Sequence, residues 1–218
     1  MKINREKVEQ LVRTMKPLFT DSSRASQIKT KGACDYVTQV DIQVQKLIKE
    51  GLYQMYPQVQ FMGEEQDNTA IDRKGDFWIL DPVDGTTNLI HDFRHSTLSL
   101  AYAEEGTVEL GIVYQPYTDE MFVAVKGKGA FLNGEPIHVS EAKTLSESLV
   151  TIGTSPYYHE LADWNFAVFK KVFLSCQDIR RLGSAALDMA YLASGRVDAF
   201  FEKILQPWDF SAAKLLIE

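Results

Sequence analysis

From Leu98 to Leu132 the chain repeats one pattern, short apolar runs cut by tight polar turns. Leu98-Ser99-Leu100-Ala101-Tyr102, Leu110-Gly111-Ile112-Val113-Tyr114 and Met121-Phe122-Val123-Ala124-Val125 read as strands, with Glu-Glu-Gly, Pro-Tyr-Thr-Asp and Gly-Lys-Gly between or after them. Connections this short leave room only for hairpins, so an antiparallel meander is expected. Asn133-Gly134 is a strong hairpin signal. Gly127 and Gly129 look like part of a dinucleotide fingerprint, but no third glycine and no helix follow, so they too read as a turn. A sheet must therefore run through the middle of the chain.

The flanks read as helices and further strands. Val8, Leu11, Val12, Met15, Leu18 and Phe19 fall at helical spacing, opposite Arg5, Glu9, Arg13 and Lys16, which predicts one core helix. Residues 21–32 lack periodicity and read as a mobile loop. Val40, Val44, Leu47, Ile48 and Leu52 mark a second amphipathic helix that begins near Thr38 and ends before Pro57. Asp41 falls in its first turn, where an acid suits the helix dipole. Residues 59–62 are strand-like. Beyond Leu145 strand and helix alternate: strand 149–152, helix 161–174, strand 179–182, helix 185–193, strand 199–201, helix 210–217. Such alternation implies helices packed on a sheet. A soft boundary at 140–146 separates an N-terminal α+β subdomain, 1–142, from a C-terminal α/β subdomain, 143–218.

At 218 residues the chain can bury a sizeable core. A net charge of −7 gives no electrostatic reason to bind nucleic acid or an anionic membrane. An anionic substrate would need that field inverted locally, and bound cations are the obvious means. Cys34 and Cys176 are the only cysteines, too few for a disulfide framework or a Cys-rich zinc site. With no signal-like N-terminus and no membrane-length apolar run, a cytoplasmic protein with free thiols is expected.

One stretch carries chemistry. The apolar run 77–80 ends in Asp81-Pro82-Val83-Asp84-Gly85-Thr86-Thr87-Asn88. Pro82 blocks further strand pairing, the spacing lets a turn bring both carboxylates together, and Gly85 permits positive φ. Thr86 and Thr87 suit a first helical turn, whose unpaired amides seat phosphate. The same residues also make an ordinary Asx turn into a capped helix. Two further acids stand out. Glu64, in Gly63-Glu64-Glu65, follows a strand-like run, and Pro207-Trp208-Asp209 closes a loop before a helix.

Glu64, Asp81, Asp84 and Asp209 are thus expected to end or follow strands. Gathered together, each pair would repel by about 4 kcal/mol at ~4 Å and an effective dielectric near ~20. Such a cluster stands only with cations or protons, and oxygen ligands favour Mg²⁺ or Mn²⁺ over zinc. His91 and His95 have a zinc-chelating spacing, but the glutamate of the metalloprotease motif is missing, so packing or loop histidines are expected. No Gly-x-Ser-x-Gly elbow is present.

In this order, Gly-Glu-Glu, Asp-Pro-Val-Asp-Gly-Thr-Thr-Asn and Trp-Asp-Phe-Ser-Ala-Ala resemble the inositol monophosphatase family of Mg²⁺-dependent, lithium-sensitive phosphatases. The resemblance covers nearly the whole chain. It implies an α/β fold, an α+β layered sandwich of alternating helix and sheet layers, and a homodimer. It implies two to three Mg²⁺ ions, replaceable by Mn²⁺ and opposed by Li⁺ and Ca²⁺. Glu64, Asp81 and the Val83 carbonyl would hold one ion, Asp81, Asp84 and Asp209 a second, and Glu64, largely through waters, a third.

Glu64 and Thr86 would orient the attacking water, with Asp41 polarising Thr86. Asp84, Gly85, Thr86, Ala185, Glu202 and Asp209 would face the substrate, the amides of Gly85 and Thr86 holding its phosphate, Glu202 a hydroxyl, and Gly183-Ser184-Ala185 forming another wall of the sugar pocket. Lys29 and Lys31 would come near the phosphate. The substrate implied is a small phosphorylated polyol or sugar, first of all myo-inositol monophosphate. Thr87, where nucleotide-directed relatives carry Lys, favours that choice over a nucleotide 3′-phosphate. Fructose 1,6-bisphosphate and NADP stay open, as does an interaction protein of the transcription machinery. Family members continue past the Trp-Asp helix, so the C-terminal subdomain is expected to be incomplete, with a strand edge or apolar groove left open.

Overall fold

The computed structural model describes residues 3–21, 28–32 and 35–218, with backbone alone for 28–32 and 35. Helix α1 (Arg5–Arg13) and helix α2 (Lys16–Thr20) open the chain. A single helix was expected here. It breaks at Thr14 and Met15 because Pro17, in the first turn of α2, lacks an amide hydrogen and its ring clashes with a continuing helical carbonyl. Strands β1 (Ile28–Gly32) and β2 (Asp35–Thr38) form a hairpin where a loop was expected through residue 32. Backbone pairing, Ile28 with Thr38 and Thr30 with Tyr36, holds it, and no apolar alternation advertises it. The side chains of Lys29 and Lys31, and Cys34, lie outside the described residues.

Helix α3 (Gln39–Met55) starts at a reciprocal cap in which Thr38 and Asp41 satisfy one another's first-turn amides. Val40, Val44, Ile48 and Leu52 are buried on its inner face, whereas Leu47, read as part of that face, is 42% exposed.

The central sheet has seven strands in sequence order: β3 (Gln60–Gly63), β4 (Phe77–Asp84), β5 (Thr97–Glu104), β6 (Thr107–Gln115), β7 (Glu120–Val125), β8 (Gly129–Leu132) and β9 (Glu135–Pro136). Only β3 and β4 pair in parallel; the rest is the expected meander. Side-chain alternation divides the core. Trp78, Leu80, Leu98, Leu100, Ile112 and Tyr114 pack under α1 to α3. Phe77, Ile79, Ala101, Val113, Phe122 and Ala124 face α6 (Ala185–Ala193) and α7 (Pro207–Ile217). Helix α4 (Thr86–Ile90) follows β4 directly. Beyond α6 and α7 lies a parallel three-stranded sheet, β11 (Asp178–Arg180), β10 (Leu149–Ile152) and β12 (Ala199–Phe201) in that order, covered by α5 (Ala162–Phe173). The layers are helix, sheet, helix, sheet, helix. Ala212, Leu215 and Leu216 of α7 are buried against the central sheet.

The α7 layer lies so close to β6 that a Cβ on Gly111 would stand 2.4 Å from the Ala212 carbonyl oxygen. Gly111→Ala is therefore expected to destabilise by about 2 kcal/mol through overpacking, lowering the melting temperature by ~4–8 °C. A thermal melt within about 1 °C of the parent would show that the layers can part at little cost.

Candidate active site

Strand β4 does not stop at Asp81, as Pro82 suggested, but runs to Asp84 through a bulge. Asp81 pairs with Ser99 and Asp84 with Thr97, so Pro82 and Val83 stand opposite Leu98 alone. Proline is tolerated at a bulge because it owes no ladder hydrogen bond there. Gly85 follows at φ 90°, and a Cβ there would meet the Gly183 carbonyl at 2.9 Å. Glycine alone allows this turn. Asp209, expected in a loop after a strand, lies in the first turn of α7, where its Oδ2 accepts from the Gln206 amide at 2.6 Å.

These elements surround a cavity of about 700 Å³ lined by Glu64, Asp81, Asp84, Asp188, Glu202 and Asp209. Arg181 is the one Lys or Arg side chain among its described lining residues. Asp81 is held far above the ordinary carboxylate range, first by burial, then by the charges of Glu64, Asp84 and Asp209, and by a hydrogen bond with Glu64. Asp209 is pushed up to about 7 by burial and by the charge of Asp84. Burial raises Asp84 as well, against hydrogen bonds from Ser184 and from the amides of Ala186 and Ala185.

The acids face one another across the cavity, and among the described residues no three His, Cys, Asp or Glu side chains close into a ready cage. The all-oxygen donor set nevertheless fits Mg²⁺ or Mn²⁺, because the ionised acids repel and only protons or cations hold them together.

Thr86 Oγ1 lies 3.0 Å from Asp41 Oδ1 and 3.0 Å from the Val83 carbonyl oxygen. Asp41, raised by burial, also accepts from the Thr38 amide and hydroxyl. Glu202 follows β12, and its Oε1 accepts from the Ser155 amide at 2.8 Å. The carboxylate lies over Gly153, where a Cβ would stand 2.0 Å from Oε2. Ala185 lines the opposite wall with Gly183 and Ser184.

A profile of the inositol monophosphatase family matches residues 3–218. The chain belongs to that family. It is 40% identical over 197 residues to the Nus factor SuhB of Escherichia coli (strain K12), covering 90% of this chain and 73% of that protein. It is 38% identical over 192 residues to the inositol-1-monophosphatase of Rhizobium meliloti (strain 1021), covering 88% and 72%. The crystal structure of extragenic suppressor protein suhB from Bartonella henselae matches with a TM-score of 0.92 at 32% identity, over 97% of this chain and 83% of that one. Membership of the inositol monophosphatase family supports a phosphatase. Relatives of similar identity bear an enzyme's name and that of a Nus factor, so the names leave the substrate open.

Two residues of this family member escaped the sequence, Asn88 and Asp188, and a third, Ser184, was expected only as part of a pocket wall. Ser184, just before α6, has the chemistry of a cap for its own helix, yet its hydroxyl donates to Asp84 Oδ2 at 2.7 Å, beside the Ala186 amide at 2.7 Å. Asn88 donates to the carbonyls of His95 and Leu182, both at 2.8 Å, tying α4 to the loop before α6. Asp188, on α6, is a buried acid in the cavity wall. Ser184 and Asn88 have partners about a hundred residues away or across a loop, which no local pattern encodes. Asp188 stood out only as an acid in an otherwise apolar helix. His95 packs edge-on against Tyr191, as a packing histidine would.

Proposed function

We propose that the chain is a Mg²⁺-dependent phosphomonoesterase acting on a small polyol or sugar phosphate, with myo-inositol monophosphate as the first substrate to test. The observation that carries this reading is Asp81, 2% exposed in the cavity wall and held well above the ordinary carboxylate range by burial and by the charges of Glu64, Asp84 and Asp209. Glu64, Asp81 and the Val83 carbonyl are assigned to one ion, Asp81, Asp84 and Asp209 to a second, and Glu64 through waters to a third. When bound, such ions lower the pKa of a water and neutralise charge on the phosphoryl oxygens and the leaving alkoxide.

The chain's own groups do the rest. Thr86, giving its one hydrogen to Asp41, keeps lone pairs with which to accept from a water, and Glu64 takes that water's other hydrogen. The amides of Gly85 and Thr86 front the cavity and are assigned to the phosphate. Helix α4 has only five residues, so those two amides matter more here than a helix dipole. Asp84 Oδ2 is already occupied by Ser184 and Ala186, which locks its rotamer and leaves Oδ1 for binding. Glu202 is assigned to the alcohol portion.

The test is phosphate release from myo-inositol 1-phosphate, fructose 1,6-bisphosphate, NADP, a nucleoside 3′-phosphate and 4-nitrophenyl phosphate, with and without Mg²⁺. The reading expects turnover only with Mg²⁺ and the highest kcat/KM on the inositol ester; none on any ester would refute it. Glu202→Gln is expected to lower the ratio of kcat/KM for inositol phosphate over 4-nitrophenyl phosphate by about 10-fold, as loss of a charged hydrogen bond does. An unchanged ratio would remove Glu202 from specificity. The name of the E. coli relative supports a second reading, a role in transcription complexes. That role would use the surface, and an inactive Asp81→Asn protein would retain it.

A further inference from the structure

We propose that Asp188 is a specificity-determining residue, a second carboxyl group on the alcohol side of the cavity that takes a hydrogen from a hydroxyl of the polyol beside Glu202. This rests on the phosphatase reading above. Asp188 is 1% exposed and yet lines the cavity. Its neighbours on α6, Ala185, Ala186, Leu187, Met189 and Ala190, are all buried and apolar. An acid in such a place is disfavoured unless a donor reaches it.

Among the described residues none does, and Asp188 Oδ1 is buried without a hydrogen-bond partner. The nearby donors are spent elsewhere. Ser184 and the Ala186 amide serve Asp84 and the Ser155 amide serves Glu202, while Arg181, whose charge acts on Asp188, gives one N–H to Thr154 Oγ1 at 3.0 Å and has no hydrogen bond to Asp188. A donor must then come from the cavity. A second phosphate or a carboxylate brings none, and beside Asp188 it would meet the like charges of Asp84 and Glu202 against the single opposite charge of Arg181. A neutral polyhydroxy alcohol brings several O–H groups and no charge. The geometry thus favours monophosphates of neutral polyols over bisphosphates.

The test compares kcat/KM for myo-inositol 1-phosphate and 4-nitrophenyl phosphate in the parent, Asp188→Ala and Asp188→Asn, with thermal melts to confirm folding. Asp188→Ala should lower the inositol-to-aryl ratio by about 10-fold, mostly through KM. Asp188→Asn keeps a carbonyl acceptor and should retain more of the preference. Equal losses on both substrates, or no loss, would overturn the proposal, as would an Asn variant no better than Ala. If Ala fails to fold, Asp188→Leu, of similar size and without an acceptor, takes its place: a fall in the ratio of less than about 2-fold, set against a hydrogen bond's worth, rejects the proposal. A parent that hydrolyses neither ester removes the phosphatase reading and this proposal with it, whereas a parent active on both isolates Asp188.

Discussion

Asp81→Asn is expected to lower phosphatase turnover by at least ~10³-fold, on the scale of losing a principal electrostatic group, and to stabilise the metal-free protein. Asp81 is the acid assigned to both principal ions, and it is the one on which burial and three neighbouring charges converge. Asparagine keeps its shape and its acceptor for the Val83 amide, a 3.0 Å contact, while removing the charge that the other acids repel. In metal-free buffer the melting temperature should rise by ~2–6 °C. Substantial residual turnover at saturating Mg²⁺ would refute the assignment. A lower melting temperature would show that the carboxylate supports the fold directly.

Stability should also respond to pH in a direction opposite to that of most proteins. A carboxyl whose folded pKa lies above its unfolded value contributes stability that is fully present below the unfolded value of 3.8 and is lost as pH rises through the folded one. Asp209 is raised to about 7 and Asp188 to about 8, both first by burial. The metal-free melting temperature should therefore fall between about pH 4 and 8 and level off above. Divalent cations favour the ionised acids, so ~10 mM Mg²⁺ should raise it by ~4 °C or more at pH 8 and by less than half that at pH 6. Calorimetry in the two buffers checks this. Equal increments at both pH values, or a metal-free protein that grows more stable toward pH 9, would contradict the account.

The meander and the alternating C-terminal elements were legible because each strand carries its own apolar run and the meander's turns carry Gly, Asn, Pro or Asp. Their periods are local. What escaped depends on contacts far apart in sequence. Nothing around Pro82 reveals that Thr97 waits across a bulge to pair with Asp84, and nothing in residues 28–32 marks a strand that pairs with 35–38. Asp209 was placed in the loop before a helix starting at 210, whereas the helix starts at Pro207, a residue suited to a first helical turn. The acids themselves were found from residue type and order. The cavity that brings them together needed the fold, since Glu64 arrives from β3, Asp81 and Asp84 from β4, and Asp209 from α7 on the other face of the sheet.

The central claim is that these four acids hold divalent cations, and Mn²⁺ located by anomalous scattering in a soaked crystal tests it most directly. The account predicts at least two peaks about 3.5–4 Å apart, each about 2.0–2.3 Å from carboxylate oxygens, with Asp81 touching both and Asp84 and Asp209 sharing one. A cavity without peaks at saturating Mn²⁺, or peaks that leave Asp81 uncoordinated, would contradict it.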